Sequence, residues 1–179
     1  MEYINVAMRY AKAIYPVAKE GGFSEILISD LSKIISLLKS SKDLRLLVHS
    51  PVIPHNKKLR IFEEIFKEHI TGITYNFLML LVSKGREGII AGIHRCFVML
   101  YNAENGILVC QITTATELDA SAKLKLEERI ATASNMKVFA EYDIDKSIIG
   151  GMRVRIEDWV YDASIRNKLK ELHRTLVEE

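Results

Sequence analysis

The sequence predicts a mainly α-helical protein with a small α+β part: an N-terminal six-helix bundle, followed by a small C-terminal domain of β-sheet and helix. Through residues 1–105, apolar side chains recur at helical spacing, and short connections containing Gly, Ser or Pro separate the segments. After Gly106 the apolar period falls to about two, which is typical of strands. The 179 residues suffice for two domains, 1–105 and 106–179, each with its own core.

The first six segments each combine an apolar face with a boundary signal. In the first helix the apolar face consists of Val6, Tyr10, Ile14 and Val17. Pro16 should kink that helix or force a local adjustment, and Gly21-Gly22 should end it. Candidate N-caps for the second to fifth helices are Ser24, Ser41, Asn56 and Thr74. Two prolines, at 51 and 54, separate the third helix from the fourth, and the sixth should end near Asn105-Gly106.

Alternating apolar residues predict strands at 108–113, 138–142 and 152–156. Asp119 is a candidate cap for a helix between the first two strands. Glu157-Asp158 resembles a tight hairpin turn, from which the chain would return through Val160.

The last helix should begin after Ser164, which is a candidate cap. Its apolar residues are spaced by four, three and four positions, and they are Ile165, Leu169, Leu172 and Leu176. Such a narrow seam packs against another helix. The seam could bind a partner or close the core of its own domain.

Composition excludes several classes of protein. With 49% hydrophobic and 27% charged residues, the chain has no need to be disordered. No apolar run approaches the roughly 20 residues of a membrane span, and the start resembles neither a secretory signal nor a transit peptide. Cys96 and Cys110 lie among apolar neighbours and are interpreted as buried thiols. A cytoplasmic prokaryotic protein is the simplest interpretation.

The net charge of +2 conceals a difference between the two halves. Residues 1–102 carry 14 Lys/Arg against 9 Asp/Glu, whereas residues 103–179 carry 11 against 14. The imbalance is too small and scattered to predict nucleic-acid binding. It does suggest that the two halves face different partners.

Motifs of reactive sites are missing from the sequence. There is no phosphate loop, dinucleotide fingerprint, HExxH or GxSxG, and the five histidines lack metal-ligand spacing. Asp143, Asp145 and Asp162 could form an acid–base pair if the sheet joined them, although such residues more often cap turns. Gly150-Gly151 could hold an anion or provide a tight strand entry.

Five segments resemble one known family in the same order. Residues 9–15 (RYAKAIY) resemble the opening "RYAKALF" of ATP synthase delta subunits, whose mitochondrial member is the oligomycin-sensitivity-conferring protein. Residues 76–86 resemble "NFLxLLxxxxR", and residues 113–118 resemble "VTSAxxL". The most specific blocks are 145–156, similar to "DxSLIGGxxVRIGD", and 162–169, similar to "DGSVRGRL".

The signature positions of this chain are Ile149, Gly150, Gly151, Arg155, Asp162, Ser164 and Arg166. The chain departs from the family pattern at Glu157 and Ala163, where the family often has Gly, and at Pro16. These departures affect the turn and the shape of the first helix.

The resemblance implies a non-catalytic stator subunit, without cofactor or metal, that couples rotation to proton flow and ATP synthesis. Its helical bundle would bind the N-terminal helix of an alpha subunit. Its C-terminal part would bind the C-terminus of the b subunit in the peripheral stalk. The location implied is peripheral, at the cytoplasmic face of the bacterial plasma membrane.

A partner helix would need an apolar groove on the bundle. Candidates for that groove on the first and fifth helices are Tyr10, Ile14, Val17, Phe77, Leu80 and Leu81. The same residues could equally form ordinary bundle core. Two further hypotheses are an adaptor on nucleic acid, which a basic aromatic sheet face would favour, and a small enzyme with a ligand near Gly150-Gly151.

Overall fold

A computed structural model describes residues 2–50, 53–156 and 159–177. The chain divides into two compact units, Met1–Tyr101 and Asn102–Glu179. In the described part of the first unit the α-helices are α1 (Glu2–Glu20), α2 (Ser24–Ser40), α3 (Lys42–His49), α4 (His55–Phe66), α5 (Gly72–Ser83) and α6 (Ile90–Glu104). A short 3₁₀ helix, Glu87–Ile89, precedes α6. The unit boundary lies within α6, a few residues before the predicted one.

A single apolar core holds these helices together. Its largest fully buried side chains are Leu27, Leu31, Ile34, Phe62, Phe66, Leu78, Leu81, Ile90, Ile93 and Phe97. Helix α1 packs closely on α6, because a Cβ at Gly92 would lie 3.1 Å from the Ala7 side chain, and Tyr15 makes an edge contact with Phe97. Removal of this apolar area from water is the main stabilising contribution.

The predicted end of α1 is confirmed. Gly22 has a φ of 69°, its N–H donates to Lys19, and the N–H of Phe23 donates to Ala18, which is the Schellman arrangement. Pro16 lies inside α1 without ending it. The proline removes the helical donor of the Lys12 carbonyl, and Lys12 is an exposed residue.

Of the four N-caps predicted for α2 to α5, three are wrong and one is confirmed. The Ser41 hydroxyl accepts a hydrogen bond from the N–H of Leu44, as expected. Ser24 is instead the first residue of α2, because the Schellman turn leads directly into it from Phe23. Asn56 lies in the first turn of α4, whose N-cap is Pro54 with its φ already near the helical value. Thr74 is buried within α5.

Asp30 explains why Thr74 does not cap α5. This buried carboxylate on α2 accepts hydrogen bonds from the N–H and hydroxyl of Thr71, the residue before α5, both at 2.9 Å. Burial alone would raise the pKa of Asp30, but hydrogen bonds from Thr71, Lys33 and Thr74 outweigh it and the pKa lies below its usual value. The start of α5 is therefore fixed by α2.

A buried ion pair joins three other segments of the first unit. Lys58 Nζ on α4 lies 2.6 Å from Glu87 Oε1 and donates to the carbonyl of Val48 at 3.1 Å. The carbonyl is one of the last in α3, so Lys58 also caps that helix. Both side chains are buried, and Glu87 Oε2 has no hydrogen-bond partner among the described atoms.

The described part of the second unit contains a four-stranded sheet in the order β2-β1-β3-β4. Its strands are β1 (Ile107–Thr114), β2 (Lys137–Ile144), β3 (Met152–Ile156) and β4 (Trp159–Asp162). Strands β1 and β2 are parallel and are connected by α7 (Ala120–Ser134); β3 is antiparallel to β1, and β4 to β3. Helix α8 (Ile165–Val177) ends the described chain.

The predicted alternation is confirmed in β1, where Cys110 and Ile112 are buried while Val109 and Gln111 are exposed. Leu126 and Ile130 of α7 pack against the buried face of the sheet. The Asp119 carboxylate caps α7 by accepting from the N–H of Ala122 at 2.7 Å. The predicted hairpin turn at Glu157-Asp158 lies outside the described residues. The fold class, mainly helical with a small sheet, is confirmed.

Candidate functional site

The six groove candidates separate into three groups. Phe77 and Leu81 on α5 are buried in the core, as the alternative of ordinary bundle packing expects. Tyr10 and Ile14 on α1 are half-buried and pack against that core. Val17 and Leu80 are exposed, with 54% and 47% of their surfaces in contact with solvent.

Helix α5 has a second exposed apolar residue that the sequence-based prediction missed. Ile73 lies seven residues before Leu80, which places both on one face of the helix, and it is 44% exposed. The seven-residue spacing was visible in the sequence. However, α5 is so rich in apolar residues that its few polar ones, among them the exposed Asn76 and Ser83, mark its outer face only weakly.

The structure presents the candidates on two separate helices, α1 and α5. Helix α5 packs on α2, α4 and the 3₁₀ helix, whereas α1 packs on α2 and α6. The two helices therefore share α2 as a common support. Accessible apolar side chains for a partner are Tyr10, Ile14, Val17, Ile73 and Leu80.

On α8 the four seam residues are all exposed. Ile165, Leu169, Leu172 and Leu176 expose between 43% and 67% of their surfaces, and none of the helix residues is buried. The apolar cluster of the second unit contains side chains from the strands and α7, and none from α8. Among the described residues, the seam therefore does not contribute to the core of its own unit.

The signature residues, with one exception, surround the start of α8. The carbonyl of Gly150 accepts a hydrogen bond from the N–H of Ile165 at 2.9 Å. A Cβ at Gly150 would lie 2.7 Å from Ile165 Cδ1, and a Cβ at Gly151 would overlap with the carbonyl oxygen of Ala163. Gly151, whose φ is 76°, is therefore required for the close approach of α8, whereas a Cβ at Gly150 would meet only the movable end of the Ile165 side chain. The anion-cradle interpretation is unnecessary.

Polar members of the signature complete this contact. Asp162 Oδ1 accepts from the N–H of Ser164, whose hydroxyl in turn accepts from the N–H of Asn167 and caps α8 as predicted. Arg166 donates to the Ser147 hydroxyl at 3.3 Å. Arg155 is the exception, because it lies in β3 opposite Val160 and Gln111. The signature thus fixes the first turn of α8 to the sheet.

The three aspartates that were candidates for an acid–base pair have separate structural roles. Asp143 accepts from Gln111, Asp145 caps the short 3₁₀ helix Lys146–Ile148, and Asp162 binds Arg153 Nε at 3.1 Å. Hydrogen bonds from Ser147 lower the pKa of Asp145, and those from Ser164, with Arg153, lower the pKa of Asp162. Carboxylates with lowered pKa values are poor general acids at neutral pH.

Among the described residues, no group of three His, Cys, Asp or Glu side chains lies close enough together to hold a metal ion. None of the helices in the described ranges is long and apolar enough to cross a membrane. The side chain of His49, one of two histidines near the proline-containing loop, is not among those that the structure describes. Exposed apolar side chains are found on helix faces and also on the strands, where Phe139, Trp159 and Tyr161 are exposed.

Comparison with known families identifies the family to which this chain belongs. The sequence model of the family described as ATP synthase delta (OSCP) subunit matches residues 6–176, which include almost all of both units. The chain belongs to the ATP synthase delta (OSCP) subunit family. The resemblance drawn from the sequence motifs is therefore confirmed.

Several bacterial relatives resemble this delta-family chain over its whole length. The ATP synthase subunit delta of Chlorobium phaeovibrioides is 35% identical over 177 residues, covering 99% of this chain and 98% of that protein. The corresponding subunit of Desulforudis audaxviator is 32% identical over 173 residues, covering 97% and 95%. A chain in the cryo-EM structure of the Toxoplasma gondii mitochondrial ATP synthase hexamer shares the fold, with a TM-score of 0.73, 23% identity and coverage of 96% and 97%.

Proposed function

We propose that this delta-family subunit is a non-catalytic stator component. It links the catalytic head of an F-type ATP synthase to the peripheral stalk, so that rotation is coupled to proton flow and ATP synthesis. The observation that carries the proposal is the exposed seam of α8, a row of four apolar side chains that do not belong to the apolar cluster of their own unit. A coupling subunit needs such adhesive surfaces and no reactive group.

The stalk side of the proposal assigns the α8 seam to the C-terminus of the b subunit. The 4-3-4 spacing of the seam suits a second helix packed along α8. Helix α8 also carries four cationic side chains and one anionic side chain among residues 165–177. A partner helix with an apolar face and acidic flanks would complement both features.

The head side of the proposal assigns the N-terminal helix of the alpha subunit to the outer faces of α1 and α5. An amphipathic helix binds by inserting apolar side chains at helical spacing into such a surface. Ile73 and Leu80 supply apolar contacts on α5, and Tyr10, Ile14 and Val17 supply them on α1. The subunit would then lie at the cytoplasmic face of the bacterial plasma membrane, peripheral and held there through the complex.

The head side can be tested with two adjacent leucines of α5. We expect Leu80→Asp to remain folded and to weaken binding of a peptide from the alpha N-terminus by at least about tenfold, because the new carboxylate is hydrated in the free protein and must lose that water on binding. We expect Leu81→Asp to unfold the first unit, because its carboxylate would be fully buried. Calorimetry and thermal melts measure both effects.

A matched control is Leu46→Asp on α3, where the leucine is also exposed but lies outside the assigned surface. This variant should bind the alpha peptide as the wild type does. Unchanged affinity in a folded Leu80→Asp variant would remove α5 from the binding surface.

A further inference from the structure

Ile149 combines two unusual features that the family signature alone does not explain. Its backbone has a φ of 70° and a ψ of −40°, a conformation that a β-branched residue adopts only at a cost. Among the described residues, the other non-glycine with positive φ is Asn135, a residue type that tolerates the left-handed region well. Glycine would occupy the position of Ile149 without strain.

The surrounding turn explains why the backbone has this conformation. Ile148 is fully buried, and the N–H of Ile149 donates to the carbonyl of Lys146 at 3.2 Å. The next carbonyl, that of Gly150, is committed to the N–H of Ile165 at the start of α8. The chain must therefore reverse direction at residue 149, whatever side chain is present there.

The side chain of Ile149 contributes little to the fold of its own unit. It is 61% exposed, and it is not among the side chains that pack against the apolar cluster of the sheet and α7. An exposed aliphatic side chain on a strained backbone is therefore not accounted for by internal packing. Strained positions of this kind are concentrated at binding and functional sites.

The position of Ile149 connects it with the α8 seam. The adjacent residue, Gly150, is in close contact with the Ile165 side chain, which is the first member of that seam. Ile149 is thus an exposed apolar residue that directly precedes Gly150, the residue in contact with the seam. Further exposed apolar residues then follow along α8, beginning with Leu169.

We propose that Ile149 is a binding residue that extends the α8 seam and contacts an aliphatic side chain of the same peripheral-stalk helix. The inference rests on the proposed function, because it takes the partner of α8 to be the C-terminal helix of the b subunit. In this arrangement the strained turn has two uses. Its backbone fixes the start of α8, and its side chain contributes directly to affinity.

The test replaces Ile149 with glycine in the full-length chain and measures binding of a soluble C-terminal segment of the b subunit. Glycine relieves the backbone strain, so the melting temperature should stay the same or rise. Loss of a side chain that would be buried in the complex should raise the dissociation constant by about tenfold or more. A simultaneous gain in stability and loss of affinity is not expected of a residue with a structural role alone.

Two controls separate the side chain from general effects. Ile149→Met keeps an aliphatic side chain and should bind within about threefold of the wild type, since such swaps preserve most of the apolar contact. Leu124→Ala removes a side chain of similar exposure, 60%, from α7 and should leave the affinity unchanged.

Unchanged affinity of Ile149→Gly would overturn the inference, and so would a markedly lower melting temperature, which would mean that the side chain packs within the chain. The Leu172→Asp variant distinguishes these failures from failure of the proposed function. If Leu172→Asp loses binding while Ile149→Gly does not, only the inference about Ile149 is wrong. If neither variant affects binding, the assignment of α8 to the stalk is wrong and the inference falls with it.

Discussion

Replacing Leu172 with aspartate is expected to weaken binding of the b-subunit segment by at least about a hundredfold while the protein remains folded. Leu172 lies in the middle of the α8 seam and is 57% exposed. The new carboxylate would be hydrated in the free protein, but it would have to lose that water against an apolar partner surface. Binding is measured by calorimetry, and the fold by circular dichroism and a melt.

Thr175→Asp is the matched control for this experiment. It places the same charge one turn away on α8, outside the seam, and should change the affinity much less. Binding of the alpha peptide should stay within about 1 kcal/mol of the wild type in both variants, because distant sites are normally additive. Loss of both affinities in a folded Leu172→Asp variant would contradict the division into two binding surfaces.

The second large effect concerns stability. Lys58→Ala is expected to lower the free energy of unfolding of the first unit by about 3–5 kcal/mol, because it leaves the Glu87 carboxylate buried without its cation. The carbonyl of Val48 would lose its donor as well. The measurement is the urea midpoint, compared at constant m-value.

A double variant shows whether the charge itself causes this loss. Lys58→Met combined with Glu87→Met removes both charges and fills similar volume, so most of the lost stability should return. If the double variant were as unstable as the sum of the two single variants, the ion pair would not be the coupling element. Retained stability of Lys58→Ala alone would show that the carboxylate is not desolvated in the native state.

Much of the fold could be predicted because its determinants are local in sequence. The change of apolar period at Gly106 predicted the transition from helices to strands, and the glycines at 21 and 22 predicted the end of α1. The failed N-cap of α5 has a tertiary cause. Asp30, 41 residues before Thr71, fixes the start of α5, and no local pattern reveals such a partner.

The candidate surfaces were only partly predictable, for a related reason. On α5 apolar residues predominate, so the pattern did not separate the buried Leu81 from the exposed Leu80, and it missed Ile73. On α8 the seam has the same appearance whether it covers a core or faces solvent. Packing of α7 on the sheet leaves α8 uncovered, and that outcome depends on the tertiary fold.

The signature block shows what family resemblance adds and where it stops. The motif marked residues 149–151 and 162–166 as signature positions of the family. The structure shows that most of them fix the first turn of α8. The positive φ of Ile149 had no sequence signal, because isoleucine is the last kind of residue expected in that conformation. Its proposed role therefore depends on the structure.

The claim that this subunit bridges head and stalk is tested most directly by a capture experiment. The alpha N-terminal peptide is immobilised, the soluble b-subunit segment is added, and retained b segment is measured with and without the full-length chain. Retention should require the chain, and it should be lost with Leu172→Asp on one side and with Leu80→Asp on the other. Capture of the b segment without the chain, or failure of capture although each partner binds the chain singly, would contradict the bridging role.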